Sequence, residues 1–353
     1  MKRMNRYCGQ RGGRISRRAA VVCAALGLAL CAVGRADTIY VSGGKAHTEV
    51  EIKDAKWDAV SYVLTGAAAA KTKRPQSIEG FTVTALDRVS QRLGPARGAL
   101  ENGDFAKAEE ALAAVTAGED WEKAEAAYLR GRLYLESAGG DRAKAEKAVA
   151  AFTAYLEAYR AGKDFYVPFA VYGLGKALIA AGKPQEATAQ FKALEEFGGA
   201  RGIWAVRAKI GEGWAVLKEK GRTGVNVARR IFTEVLADRT LSVETQQEAA
   251  VGRTATLTVG EQYDDAIAFL NQSFFEVKAV AYSEYYGEAC NLMGDAYRGK
   301  RNPQEAELWY LRATCFFKRY PGVYRNAAKN LADIYKAMGR NDRAKEWEQR
   351  AGD

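Results

Sequence analysis

Most of the chain repeats one pattern of small and large apolar positions. Seven alanines follow one another at spacings of 38 to 41 residues, and a large residue stands four positions after six of them. A small residue also stands 12 or 17 positions before each alanine. A fixed period of this length predicts an array of stacked supersecondary units. The alanines are Ala108, Ala148, Ala187, Ala228, Ala266, Ala306 and Ala344, and the small residues are Ala96, Gly131, Gly175, Gly211, Thr254, Gly294 and Ala332.

Each unit is predicted to be two helices joined by a turn. Gly182 can end a first helix in the left-handed conformation, and Pro184 suits the first turn of the next helix. The small residues are expected where helix backbones approach closely. One helix pair cannot bury its apolar face, whereas a stack shares a continuous core. Residues 87–353 are therefore predicted to form an α-solenoid of about seven helix-turn-helix repeats. Two units carry five extra residues between small residue and alanine, which we place in the turn.

Before the repeats, short runs alternate between polar and apolar residues. We predict strands over residues 38–41, 48–53, 58–64 and 79–84 because alternation with period two is typical of a half-buried strand. Residues 37–86 thus form a small β-rich domain in an otherwise mainly α protein. A unit of this size is near the lower limit for a core of its own, so we expect it to pack on the helices.

The first 36 residues have the three parts of a secretory signal peptide. A basic region without acids precedes an uncharged run of 16 residues, and Gly34 and Ala36 place small residues before a cleavage site at Asp37. The uncharged run is short for a membrane span, which needs about 20 residues. We therefore expect an exported protein of the periplasm or cell envelope. Retention as an anchor, a twin-arginine route and lipidation remain alternatives.

Removal of this segment changes the charge of the protein. The whole chain has 53 basic and 43 acidic residues, a formal charge of +10. The segment holds eight of the basic residues and no acid, so 45 basic residues remain against 43 acidic ones, a charge of +2. The remaining charge does not favour nucleic acid as a partner.

Two of the repeats carry a recognisable motif. One is Val171-x-x-Leu174-Gly175-x-x-Leu178 followed by Ala187, Phe191 and Leu194, and the other is Cys290-x-x-Met293-Gly294-x-x-Tyr297 followed by Ala306, Tyr310 and Ala313. Roughly residues 89–353 resemble the tetratricopeptide repeat (TPR) family through these motifs. The period exceeds the about 34 residues of that family, and the proline after the second helix is mostly missing. The stretch from Tyr320 to Tyr324, which keeps this proline, is similar to repeats of bacterial envelope-assembly proteins.

The resemblance implies that first helices line a concave face and that certain of their positions contact partners. When these positions are carried over in register, those of the earlier units form an aromatic face. Those of the last two units form a mixed face with hydrogen-bonding side chains. These positions do not reproduce the Lys/Asn clamp that binds a C-terminal carboxylate in chaperone-type members. The implied partner-binding residues are Tyr128, Arg132, Phe169, Tyr172, Lys176, Asn291, Asp295, Arg298, Asn326, Lys329, Asp333 and Lys336.

Candidate chemistry is scarce in this sequence. The single histidine, His47, rules out metal sites built on several imidazoles and is interpreted as an exposed loop residue. No nucleophile elbow, phosphate-binding loop or metal motif occurs, and acidic pairs such as Glu109-Glu110 are expected on solvated helix faces. We therefore predict no catalytic residues, metal or cofactor. Cys290 and Cys315 lie in one unit and are either paired or free thiols.

These features together predict a non-catalytic protein–protein interaction scaffold of the bacterial cell envelope. It is expected to hold a peptide or a partner helix in the concave face, with membrane contact only through the signal segment or a partner. A cell-wall or glycan-binding accessory protein, or a glycan-cleaving enzyme, is the alternative. A purely structural protein that associates with itself is a third.

Overall fold

The computed structural model describes residues 36–41, 45–65, 76–79, 83–197, 202–276 and 283–352. The predicted signal peptide lies outside the described residues apart from Ala36, its last residue. None of the described helices is long and apolar enough to cross a membrane.

Seven consecutive helix pairs make up the described chain from Gly94 onward, and each pair is joined by a short turn. This confirms the predicted α-solenoid of about seven helix-turn-helix repeats. The pairs are α1 (Gly94–Glu101) with α2 (Phe105–Ala113), α3 (Asp120–Ala138) with α4 (Arg142–Tyr159), α5 (Val167–Ala180) with α6 (Pro184–Ala193), α7 (Ile203–Lys220) with α8 (Val225–Ala237), α9 (Val243–Val259) with α10 (Tyr263–Leu270), α11 (Glu284–Gly299) with α12 (Pro303–Phe316), and α13 (Pro321–Ala337) with α14 (Asn341–Gly352).

The repeated small residues lie at the contacts between helices, as predicted. All seven register alanines are at most 1% exposed. A Cβ atom added to Gly175 of α5 would lie 2.4 Å from the ring of Phe191, and one added to Gly211 of α7 would lie 2.3 Å from the same ring. Phe191 of α6 therefore fills the space between two consecutive units, and glycine is needed on both sides of it.

The five extra residues of the second unit lengthen its helices, so their predicted place in the turn is wrong. The turn between α3 and α4 has three residues, as many as the turn between α5 and α6. The physical reason is that helical residues pair their backbone groups internally, whereas a longer turn would need other partners. In the fourth unit the extra residues extend α7 and add the 3₁₀ turn Gly221–Gly224.

The N-terminal unit is a five-stranded antiparallel sheet with the strand order β4-β3-β2-β1-β5. Its first three strands lie where they were predicted, but the single strand expected over residues 79–84 is wrong. Two strands occupy that region, one ending at Glu79 and the other beginning at Val83, with Gly80 of the sequence between them. Glycine weakens the interior of a strand. The strands are β1 (Asp37–Val41), β2 (Lys45–Ala55), β3 (Ala59–Leu64), β4 (Gln76–Glu79) and β5 (Val83–Asp87).

The sheet packs on the solenoid, as its small size predicted. Ile39, Val60 and Tyr62 form a buried cluster with Phe165, which lies between α4 and α5. The adjoining Lys163 pairs with Asp58 at 2.6 Å across the same junction. The sheet thus gains from the helices the apolar cover that its own residues do not supply.

His47 does not lie in an exposed loop, so that interpretation is wrong. It belongs to β2 and is partly buried, with Nδ1 3.3 Å from the hydroxyl of Tyr62. The cause is that β2 begins at Lys45, three residues before the predicted start. The strand pairs His47 with Ile39.

The remaining local expectations concern the thiols and the acidic pairs. Cys290 is buried and Cys315 is exposed, and both are free thiols. Burial raises the pKa of the Cys290 thiol to about 12, so it stays protonated at neutral pH. The pair Glu109-Glu110 is exposed on α2, as expected for a solvated face.

Replacement of Gly211 by alanine tests the close helix contact. We expect Gly211→Ala to lower the free energy of unfolding by about 1–3 kcal/mol because the new methyl group clashes with Phe191. The matched control is Gly98→Ala in α1, where an added Cβ meets nothing within 4 Å and helix propensity predicts a gain of up to about 1 kcal/mol. Urea denaturation followed by circular dichroism measures both changes. Equal effects of the two substitutions would contradict the proposed packing role.

Candidate functional site

The last unit of the solenoid returns to the second one. Helix α13 packs against α3, and Nη1 of Arg325 donates to the carbonyl oxygens of Ala138 at 3.0 Å and Ser137 at 3.4 Å. These carbonyls belong to the last turn of α3, where a cation is favourable. Gly139 follows in the left-handed conformation with φ of 51°, and its α-carbon faces the backbone of Pro321. The first helices of units two to seven therefore surround a central space.

This space, which we name the central cavity, consists of two adjoining chambers. The first has a volume of about 460 Å³ and the second about 440 Å³. Side chains of α3, α5, α7, α9 and α11 line the first chamber or both, and α13 contributes to the second. The residues common to the two chambers are Tyr172, Lys176, Glu248, Tyr285 and Glu288.

Charged groups meet where the two chambers join. The hydroxyl of Tyr172 donates to Oε1 of Glu248 at 2.6 Å, and Nζ of Lys176 lies 4.0 Å from the same oxygen. Glu284 and Glu288, one helical turn apart on α11, form neither a hydrogen bond nor an ion pair with the residues that the structure describes. The cavity thus holds two carboxyl groups without a dedicated partner.

Burial and mutual repulsion change the protonation of these groups. Burial raises the pKa of Glu288 to about 8, and the neighbouring Glu284 and Glu248 add to this effect against Lys176. The pKa of Glu284 is raised by burial as well. Burial by itself lowers the pKa of Lys176, but the acidic groups around it, Glu248 first, outweigh this effect and raise the pKa overall. Lys176 therefore carries its charge at neutral pH while Glu288 largely holds its proton.

Aromatic rings form the other side of the first chamber. The ring of Tyr128 stacks on Tyr166 with centroids 4.6 Å apart, and Phe169 meets Trp204 edge-on at 4.7 Å. The guanidinium carbon of Arg207 lies 5.0 Å from the Trp204 ring centroid. Rings fixed in this way offer rigid apolar contact area at a low entropic cost.

The structure brings eight of the twelve predicted partner-binding residues to the central cavity. Lys329 and Asp333 line a separate surface pocket of about 590 Å³ beside the contact between α3 and α13. Arg298 donates to Asn330 at 2.5 Å, and Lys336 is exposed and pairs with Glu348. Their contact with a partner stays a prediction. The eight cavity residues are Tyr128, Arg132, Phe169, Tyr172, Lys176, Asn291, Asp295 and Asn326.

Several cavity residues were missed by sequence reasoning. Glu284 and Glu288 precede the predicted Asn291 and Asp295 at helical spacing on α11, so extending that stripe toward the N-terminus would have found them. No position of α7 or α9 was predicted, although Arg207 and Glu248 line the cavity. In the fifth unit threonine replaces the glycine of the motif. The alignment of this unit with the others therefore did not indicate Glu248 as a cavity position.

The geometry of the cavity suits binding more than metal coordination. Within the described part of the chain, no three acidic, histidine or cysteine side chains are arranged to hold a metal ion. The available chemistry is that of carboxyl groups, lysine and arginine side chains, amides and aromatic rings. Such a mixture can orient a polar ligand through a few hydrogen bonds while rings cover its apolar parts.

No protein-family model and no curated protein matches this chain. Among solved structures it is similar to a tetratricopeptide repeat protein from Parabacteroides merdae ATCC 43184, with 15% identity and a TM-score of 0.45 over 74% of this chain and 91% of that one. It is also similar to the TPR domain of P58(IPK), with 18% identity and a TM-score of 0.27 over 74% and 72% of the two chains. The TPR-like character of the fold rests on the chain's own helix pairs and packing glycines.

The raised pKa of Glu288 predicts a pH dependence of stability. The folded protein keeps this proton up to about pH 8, whereas an unfolded glutamate loses it near 4.5. Between these values the folded state binds more protons, so the contribution of Glu288 to stability falls as the pH rises from 5 to 8, by less than about 1.4 kcal/mol per pH unit. Urea midpoints of Glu288→Gln should fall less steeply over this range than those of the wild type. The exposed Glu186→Gln serves as a control, and identical slopes for Glu288→Gln and wild type would refute the assignment.

Proposed function

We propose that this chain is a non-catalytic interaction scaffold that holds an extended peptide segment in its central cavity. The observation that carries the proposal is the convergence of six first helices on one cavity with fixed rings and unpaired polar groups. Stacked helix pairs commonly present such inner surfaces for binding. An extended segment fits the two connected chambers better than a second helix, whose diameter with side chains is about 10–12 Å.

We further propose that the protein acts in the periplasm or cell envelope. The support is the N-terminal sequence, in which a basic region and an uncharged run of 16 residues precede small residues at the cleavage site. The near-neutral charge that remains after Ala36 agrees with a protein partner rather than nucleic acid.

Affinity capture with a blocked cavity tests the scaffold proposal. Asn326 is exposed on α13 and lines the second chamber, so Asn326→Trp should fill space without burying a charge. We expect proteins recovered from the envelope fraction by the wild type to be lost with Asn326→Trp. The control is Lys345→Trp, an equally large substitution at an exposed position of α14, which should leave recovery unchanged. A recovered set that Asn326→Trp does not alter would reject the cavity as the binding site.

A glycan-processing role is the second candidate, and one observation favours it. Glu288 has a raised pKa and lies one helical turn from Glu284, about 5–6 Å between Cβ atoms, beside Tyr172 and Trp214. A protonated acid near a second carboxyl group is the arrangement that glycosidases use.

Incubation with purified peptidoglycan separates the two candidates. For a scaffold we expect no soluble fragments above the buffer control, as measured by chromatography of the supernatant. Fragments released by the wild type and absent with Glu288→Gln would instead favour the glycan-processing role. Glu186→Gln controls for the change of one exposed carboxyl group.

A further inference from the structure

We infer that the central cavity binds a cationic side chain, lysine or arginine, of an extended peptide at Glu284 and Glu288. This inference rests on the proposed scaffold function and specifies the chemistry of the segment that the cavity accepts. Four sets of observations support it: the unpartnered carboxyl groups, a buried acceptor beside them, the surrounding rings and the balance of charges.

The two carboxyl groups of α11 have no directly bonded partner in the described chain, and the charges of Lys176 and, for Glu288, Lys218 only partly offset the cost of their burial. Glu284 and Glu288 line the first chamber, and Glu288 also lines the second, yet neither has a hydrogen bond or an ion pair there. Removing a carboxylate from water without a partner is unfavourable by several kcal/mol at the order-of-magnitude level. A ligand cation that reaches both groups would supply the missing partner and bond strongly to them.

A second polar group next to these carboxyls also lacks a donor. Asn291 is only 3% exposed and lies three residues after Glu288 on α11, where it lines the second chamber. Its Nδ2 donates to the carbonyl oxygen of Val323 at 3.0 Å, whereas Oδ1 is buried and accepts no hydrogen bond. An unsatisfied buried acceptor is costly. Lysine and arginine side chains offer several donors and no acceptor, so they match acceptor groups of this kind.

Aromatic rings border the same position. Tyr172 and Tyr285 line both chambers, and Trp214 lines the second. The ammonium group of Lys176 already lies 5.8 Å from the centroid of the Tyr172 ring, within the distance at which a ring face attracts a cation. The cavity therefore accommodates positive charge beside its rings.

The balance of charges leaves room for one more cation. Arg132 pairs with Glu136 at 2.7 Å, and Lys176 is nearest to Glu248, which also accepts from Tyr172. Arg207 stacks on the Trp204 ring, and Lys218 is exposed, so no basic side chain of the described cavity is bonded to Glu284 or Glu288. Across the two chambers there are six carboxyl groups, Glu136, Glu244, Glu248, Glu284, Glu288 and Asp295, and four basic groups, Arg132, Lys176, Arg207 and Lys218.

The inference is tested with three fluorescein-labelled peptides of eight residues that alternate serine with lysine, norleucine or glutamate. Anisotropy titrations with the full chain at about pH 8 should show that the lysine peptide binds at least about tenfold more tightly than the other two, the range of a charged hydrogen bond. The double variant Glu284→Gln/Glu288→Gln should lose this preference. The matched control, Glu157→Gln/Glu186→Gln, removes two exposed carboxyl groups from second helices and should keep it.

The pH dependence of peptide binding is a second test, because a purely structural role of Glu288 would not change it. Affinity for the lysine peptide should rise between pH 6.5 and 9 because Glu288 loses its proton there, while the lysine amine stays charged. Glu288→Gln should flatten this rise. The charged and titratable groups that line the two chambers with Glu288 are Tyr128, Arg132 and Glu136 of α3, Tyr172 and Lys176 of α5, Arg207 and Lys218 of α7, Glu244 and Glu248 of α9, and Glu284, Tyr285 and Asp295 of α11.

Each outcome of these titrations either supports or overturns the binding of a cationic side chain at Glu284 and Glu288. Equal affinity for the lysine and norleucine peptides, or an unchanged preference in the double glutamine variant, would overturn the cationic ligand. No binding of any peptide would overturn it as well. The scaffold proposal would survive all three results if envelope proteins were still lost with Asn326→Trp, so the two failures are distinguishable.

Discussion

Close approach of consecutive first helices is the constraint on which the rest of this structure depends. In the second, third and fourth units, a phenylalanine of the second helix lies over two glycines, one in its own unit and one in the next. Cβ atoms added to Gly131 and Gly173 would both lie 2.5 Å from Phe152. Phe232 holds the same place between Gly213 and Gly252 farther along the chain. Because the rings leave no room for a side chain, the small residues fix the distance between units.

The spacing between units also determines where the last unit of the solenoid lies. Small rotations between neighbouring units accumulate in a solenoid, and here they bring α13 back to α3, where Arg325 joins the carbonyl end of α3. Contacts between distant units thus bring the two ends of the concave face together around the central cavity. Electrostatic interactions are stronger away from bulk water, so Glu288 and Lys176 shift the pKa of one another in this cavity.

The local parts of this arrangement were predictable from the sequence, and the closure was not. The register of small and large residues repeats, so the seven units follow from periodicity, and the TPR resemblance placed eight of its twelve implied positions where the structure has the central cavity. Alternation alone did not reveal that two strands, β4 and β5, lie where one was predicted. The contact between α3 and α13 depends on angles summed over six units, which no local pattern encodes. Glu248 meets Glu284 and Glu288 through the packing of the neighbouring helices α9 and α11, which a correct register for the fifth unit would have placed side by side.

The net charge of the chain does not reveal the excess of carboxyl groups in the central cavity. The chain after Ala36 carries a formal charge of only +2, yet carboxyl groups outnumber basic groups in the central cavity. Packing does not require this distribution, because the contacts between units are made by alanine, glycine and aromatic rings. Apolar residues at positions 284 and 288 would cost less to bury than unpaired glutamates. The physical argument for binding is therefore that the central cavity holds polar groups to which the described chain gives no hydrogen-bond partner.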